Sequence, residues 1–283
     1  MLTRKQTHLA TVFVIKLPEQ HENLFAQCFL LLEEFEKTYS RFLPTSLLSK
    51  VNKQLNTWQT VDEQTFSLFE KGVDYYTKTE GEFTLTLKTQ LEQLGYDPEY
   101  SFTKKNTVPF SQHDEPILLN KQTLQVYLKQ EVEFGGFGKG FAVDMLAKFL
   151  DQHHVESYFI SGGGDIRVKG QWPILLEHPL DATKALGKVT LDNGAIASSS
   201  SNRRKWSKAH HLLNAKTGLP QNELLAIFVL ANTASDADAY ATALFGAGLH
   251  KAIELSKKLS LAVYIITSDK KVYKSDTFIG KFF

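Results

Sequence analysis

A glycine-rich turn running straight into an amphipathic helix, FGGFGKGFAVDMLAKFL at residues 134–150, constrains this chain more than any other stretch. Gly135, Gly136, Gly138 and Gly140 let the backbone come close to a neighbour or a ligand. The helix that follows presents unpaired N–H groups and the positive end of its dipole, and Lys139 adds a full charge at that point. Phe141, Val143, Met145, Leu146, Phe149 and Leu150 supply an apolar surface for packing. The segment reads either as an anion-facing turn or as a plain glycine cap on a core helix. Two common phosphate motifs are excluded. Gly140 stands where a P-loop needs Ser or Thr, and glycines at 136, 138 and 140 do not have the dinucleotide-fingerprint spacing.

Around this segment, helices and strands alternate irregularly. Residues 22–41 and 64–79 carry helical apolar spacing, the second ended by Gly81. Residues 11–15 and GEFTLTL at 81–87 alternate like strands, residues 98–115 are polar and loop-like, and a strand at 124–128 precedes the glycine turn. Strand patterns follow at 158–161, 166–169, 174–176, 188–191, 195–198 and 225–230, then a helix at 235–247, a short helix and two or three closing strands. Without regular βαβ alternation the expectation is α+β, with mostly antiparallel sheets flanked by helices, in one domain over 1–283. A net charge of +1 gives no reason to expect nucleic acid as a partner. No apolar run reaches transmembrane length, and the first residues lack a signal-peptide core, so a cytoplasmic location is expected. Cys28, the single cysteine, rules out an internal disulfide.

Three further segments carry chemistry-bearing residues. SGGGDIRVKG at 161–170 places bare backbone between two strands, with Asp165 free to accept a hydrogen bond or to fix the turn. Residues 194–220 gather a serine run, Arg203, Arg204, His210, His211 and a Thr-Gly turn, and a histidine there is a candidate general base or simply part of a solvated loop. In TASDADAYATALFGAG at 233–248, Asp238 and Thr242 stand four apart on one helix face. They make either a hard-oxygen pair for Mg²⁺ or a dipole-favoured aspartate beside a packing threonine.

In this order, the segments resemble the ApbE family of FAD:protein FMN transferases. The correspondences run through Leu9-Ala10-Thr11 and the loop with Ser40, Phe42, Ser46 and Asn52, to Gly81-Glu82-Phe83-Thr84 and Gly135 to Asp144. They continue through Gly163 to Ile166, the Ser198-Ser199-Ser200 turn, His211 to Gly218, and Ala237-Asp238-Ala239 with Thr242. The resemblance implies a two-lobed α+β domain that binds FAD as substrate in a cleft with Mg²⁺ at the pyrophosphate. It implies transfer of FMN to a Ser or Thr hydroxyl of an acceptor flavoprotein, with release of AMP. The alternatives are a FAD pyrophosphatase and a non-catalytic FAD-binding protein. Carried over, Asp238, Thr242 and the carbonyl of Gly138 hold the metal, and Phe42, Glu82, Phe83, Thr84, Gly135, Phe141 and Leu213 contact FAD. His211 is the base, because it and not His210 has the family spacing to Thr217-Gly218, and Asp238 is the second catalytic residue. The chain departs from the pattern at Thr84 and at Asn214-Ala215, where the family has aspartate and Asp-Pro, and also at Lys216 and Ser198.

Overall fold

The computed structural model describes residues 1–105, 110, 116–202, 205–206 and 209–283. Strands β1 (Leu2–His8) and β2 (Thr11–Leu17) form a hairpin, followed by helices α1 (Leu24–Tyr39) and α2 (Leu47–Asn52). Strand β3 (Trp58–Thr60), α3 (Glu63–Lys78), α4 (Lys88–Gln93), β4 (Ile117–Asn120) and β5 (Gln125–Leu128) come next, then α5 (Gly138–Gln152). Strands β6 (Tyr158–Gly162), β7 (Asp165–Lys169), β8 (Gln171–His178), β9 (Asp181–Asp192) and β10 (Ala195–Ser200) run consecutively. Short strands β11 (Lys205–Trp206) and β12 (Ala209–His210) precede β13 (Leu224–Ala231), α6 (Ala234–Ala247) and α7 (Leu249–Lys258). The chain closes with β14 (Ala262–Thr267), β15 (Val272–Lys274) and β16 (Lys281–Phe282).

The central sheet has the order β1-β2-β6-β7-β10-β13-β14-β15, with every neighbouring pair antiparallel, so the α+β expectation holds. Its strands lie in chain order; the remaining elements are insertions into a meander. On one face, Phe13, Ile15, Ile227, Val229, Val263 and Ile265 join the large core under the helices. On the other, Ala226, Phe228, Tyr264 and Ile266 pack beneath β8 and β9 with Ile174, Leu176, Val189, Leu191 and Phe278. Strands β13 and β14 are thus covered on both faces, which is why they read as unbroken apolar runs. Among the described residues, no helix is long and apolar enough to cross a membrane.

The expected strand at 81–87 does not form. Residues 81–86 are consecutively buried in an irregular segment, which a one-faced alternating strand cannot achieve. Several of their polar groups find partners within the loop or beside it in space. The Phe83 N–H donates to Thr79 Oγ1 (2.9 Å), the Thr84 and Thr86 hydroxyls bond each other (2.9 Å), and Leu85 C=O accepts from the Glu133 N–H (2.8 Å). The alternation therefore came from a threonine-rich buried loop. The polar stretch at 98–115 lies partly outside the described residues, as do Arg203 and Arg204. Ser198, Ser199 and Ser200 finish strand β10, where the resemblance implied a turn.

Candidate active site

The glycine turn meets helix α6 at close range. Gly140 is the third residue of α5, so its N–H has no partner within the helix, and it donates instead to Asp238 Oδ2 at 3.0 Å. An added Cβ at Gly140 would lie 2.3 Å from the Ala234 carbonyl oxygen. This glycine is therefore required by helix–helix contact. Asp144, one turn further along α5, accepts from the N–H groups of Ala234 and Ser235 (both 2.8 Å) and from the Ser235 hydroxyl (2.7 Å). It caps α6 and so fixes where Asp238 sits. Burial pushes the Asp144 carboxyl up from its ordinary value, against these hydrogen bonds.

Lys139 sits between two carboxylates. Its Nζ lies 2.7 Å from Asp165 Oδ2 and 3.1 Å from Asp238 Oδ2, and both acids are almost wholly buried. Asp165 is delivered by the two-residue turn Gly163-Gly164, whose φ values of +69° and +107° need glycine. Two negative groups share one positive group, so these three groups together carry net negative charge. Burial, and then the Asp165 carboxylate, push the Asp238 carboxyl up to about 7, opposed by Lys139 and the Gly140 N–H. A carboxylate held under-compensated in this way fits a cation. Among the described residues, no group of three or more His, Cys, Asp or Glu side chains gathers for a metal. A cation beside Asp238 would thus rely on hydroxyl and carbonyl oxygens, the donors that suit Mg²⁺ and Ca²⁺ and not zinc.

Lys139 and Asp238 line a cleft of about 260 Å³ together with Thr242, Gly135, Gly136, Thr84, Ser198, His211 and Leu213. An aromatic cavity of about 230 Å³ adjoins it and shares Ala10, Tyr96, Glu133, Gly135 and Lys139 with it. There Phe42 stacks on Tyr100 (5.0 Å between centroids), and the Arg41 guanidinium lies over the Phe42 and Tyr96 rings at 4.1 and 4.8 Å. Arg41 is held by the Tyr96 carbonyl (2.8 Å) and by Glu92 (3.4 Å). The cleft mouth also includes the β1–β2 turn, where Leu9 and Ala10 adopt φ of +51° and +56° without being glycine.

Of the residues expected at the site, the structure brings Phe42, Thr84, Gly135, Leu213, His211, Asp238 and Thr242 to these two cavities, with Gly138 at the start of α5 lining the aromatic one. It does not bring Glu82, Phe83 or Phe141 to their walls. Glu82 is buried and paired with Lys216 Nζ at 2.7 Å. Phe83 is buried against Tyr75 and Phe137, and Phe141 packs against Phe35 and Phe137. The two adjacent histidines separate clearly. His210 is buried, accepts from the Leu212 N–H (3.2 Å) and meets the Phe245 ring edge-on, while His211 lines the cleft. Asn214 is a turn residue. Its Oδ1 accepts from the Lys216 and Thr217 N–H groups (3.0 and 2.9 Å), and its Nδ2 donates to the Gly246 carbonyl (2.9 Å), a bond an ionised aspartate cannot make. Sequence reasoning did not find Arg41, nor Glu133, whose carboxylate accepts from the Gly135 N–H (2.7 Å). Arg41 is the unspecified position between Ser40 and Phe42, Glu133 precedes the glycine turn, and both meet the site only through tertiary packing.

The sequence model of the ApbE family matches residues 9–265, and the chain belongs to that family. It is 30% identical to the FAD:protein FMN transferase of Haemophilus influenzae, an alignment covering 92% of this chain and 82% of the relative. It is 26% identical to the enzyme of the same name from Escherichia coli, covering 86% and 76%. Its fold superimposes on the crystal structure of the ApbE protein of Thermotoga maritima with a TM-score of 0.89, at 22% identity over 98% of this chain and 97% of that one. With the flavin transferase ApbE of Vibrio cholerae the TM-score is 0.84, at 23% identity over 98% and 97%.

Proposed function

We propose that this protein is a Mg²⁺-dependent FAD:protein FMN transferase that moves FMN from FAD to a Ser or Thr hydroxyl of an acceptor flavoprotein and releases AMP. The observation that carries the reading is the Lys139–Asp165–Asp238 cluster, two buried acids on one part-buried lysine, beside a cleft that also holds Thr242 and His211. Asp238, Thr242 and the Gly138 carbonyl would hold the metal, which when bound supplies positive charge to the pyrophosphate. The aromatic cavity around Phe42 offers flat apolar surface suited to a ring of FAD, with Gly135 and Gly136 as bare backbone beside it. His211 takes the proton from the acceptor hydroxyl. The freed oxygen attacks the FMN phosphorus, and the P–O bond to AMP breaks with its electron pair leaving on AMP. Leu213 and Thr84 line the cleft with the glycine turn, while Glu82, Phe83 and the partly buried Phe141 pack outside its lining.

The test is incubation with FAD, Mg²⁺ and a purified flavoprotein acceptor, reading AMP release and covalent flavin on the acceptor. AMP release matched by flavinylated acceptor is expected. AMP and free FMN with no covalent product would make it a pyrophosphatase, and FAD binding without AMP release a flavin-binding protein; either overturns the proposal.

A further inference from the structure

Asp165 lines neither cavity of the site, yet its carboxylate makes the shortest contact in the cluster, 2.7 Å to Lys139. We infer that Asp165 is a positioning residue that keeps Lys139 from neutralising Asp238, and so sets the affinity of the site for a divalent cation without being a ligand. This rests on the reading of Asp238 as a metal ligand.

Charge balance among two buried acids and one part-buried lysine gives Asp165 this role. Lys139 Nζ approaches both Asp238 oxygens, at 3.1 and 3.3 Å, and it projects from the second residue of α5, one residue before the Gly140 N–H that also serves Asp238. With Asp165 present, one ammonium serves two carboxylates, and the three groups sum to a single negative charge. Without Asp165, the ammonium and Asp238 would form a closed neutral pair, and a cation approaching Asp238 would have to displace Lys139. Asp165 is well placed for this role. It is 2% exposed, so solvent screens it weakly, and the Gly163-Gly164 turn fixes it at the first residue of β7. A buried carboxylate is costly unless it is paired. Lys139 relieves that cost while still donating to both Asp238 oxygens, so its single charge is divided between the two acids.

The charge count orders four proteins. Asp165→Asn leaves the cluster neutral, Lys139→Met leaves it doubly negative, and the double variant restores a single negative charge on Asp238 alone. The probe is Mn²⁺ titrated into the full chain without FAD, with free Mn²⁺ read by its paramagnetic resonance signal. Mn²⁺ is a hard cation with the same oxygen-donor preference as Mg²⁺. Asp165→Asn should bind about tenfold or more weakly than wild type, the order of effect of one unit charge at this range. Lys139→Met should bind more tightly than wild type, and the double variant should return to within about threefold of wild type. That recovery, read beside the melting temperatures of all four proteins, separates charge balance from a structural role, because affinity then follows the charge count and not the stability. Wild-type affinity in a folded Asp165→Asn, or a double variant no better than Asp165→Asn, would overturn the inference while leaving the metal site standing. If Asp165→Asn does not fold, Lys139→Met decides, and equal or weaker binding there overturns it. A wild-type protein that binds no Mn²⁺ would overturn the metal reading itself and the inference with it.

Discussion

Gly140→Ala is the substitution whose outcome follows most directly from the structure. The added Cβ would lie 2.3 Å from the Ala234 carbonyl oxygen, 2.7 Å from the Ala234 carbonyl carbon and 2.9 Å from Asp238 Cβ. These are backbone atoms and the stiff root of a side chain, so no flexible tip can swing aside, and α5 must move away from α6. Overpacking of this kind costs about 1–3 kcal/mol. Moving the helix also lengthens the Gly140 N–H bond to the buried Asp238 carboxylate, a charged hydrogen bond worth about 1.5–3 kcal/mol. Alanine's better helix propensity returns about 1 kcal/mol. The net is a loss of about 3 kcal/mol, or roughly 6–12 °C in melting temperature for a chain of this size. Gly138→Ala is the control, because its Cβ would meet only Phe134 Cβ, at an ordinary 3.4 Å. It should melt within a few degrees of wild type. Thermal melts of the two metal-free variants, followed by circular dichroism, decide the matter. A wild-type melting temperature for Gly140→Ala, or an equal fall for Gly138→Ala, would refute the claim that α5–α6 contact is what requires glycine at 140.

Four other expectations can be checked with the same protein. The folded Asp238 carboxyl is raised from 3.8 to about 7, so the metal-free fold holds that proton more tightly than the unfolded chain does, and the stability this contributes is full below about pH 4 and lost as pH rises towards 7. Asp238→Asn should therefore melt higher than metal-free wild type at pH 8 but alike near pH 4, and should gain nothing from added Mg²⁺; a lower melting temperature at pH 8 would contradict this. His211→Ala should lower FMN transfer by roughly two to four orders of magnitude with the melting temperature kept. His210→Ala should instead lower the melting temperature, since it removes a buried ring from Phe245, and equal catalytic losses would show that the cleft base is misassigned. Gly135→Val would set a Cβ 2.5 Å from Glu133 Oε2, displacing that carboxylate into the shared wall of both cavities, so FAD affinity measured by calorimetry should fall more than stability does. Ala10→Gly should raise the melting temperature, because it relieves a left-handed φ of +56° worth about 1 kcal/mol; an unchanged melt would show that the turn is unstrained.

The sequence by itself determined the parts of this protein whose physics is local. Periodicity placed α1, α3, α5 and α6 to within a few residues, and the apolar pattern at 225–230 marked the strand that forms as β13. The spacing of Asp238 and Thr242 placed both on one helical face, and the ordered motifs pointed to the family that the comparisons bear out. Tertiary structure decided the rest, because the remaining facts depend on distances between residues far apart in the chain. Alternation at 81–87 could not tell a one-faced strand from a buried threonine-rich loop; the partners of those backbone groups, Thr79 and Glu133, lie outside the segment. Glu82, Phe83 and Phe141 belong to motif segments, yet packing sets them behind the cleft wall, since a motif specifies neighbours along the chain and not depth below a surface. Nor could spacing reveal that Lys139 is shared between Asp165 and Asp238, 26 and 99 residues further along the chain. That charge arrangement exists only because the β6–β7 turn and the α5–α6 crossing bring two buried acids onto one part-buried lysine.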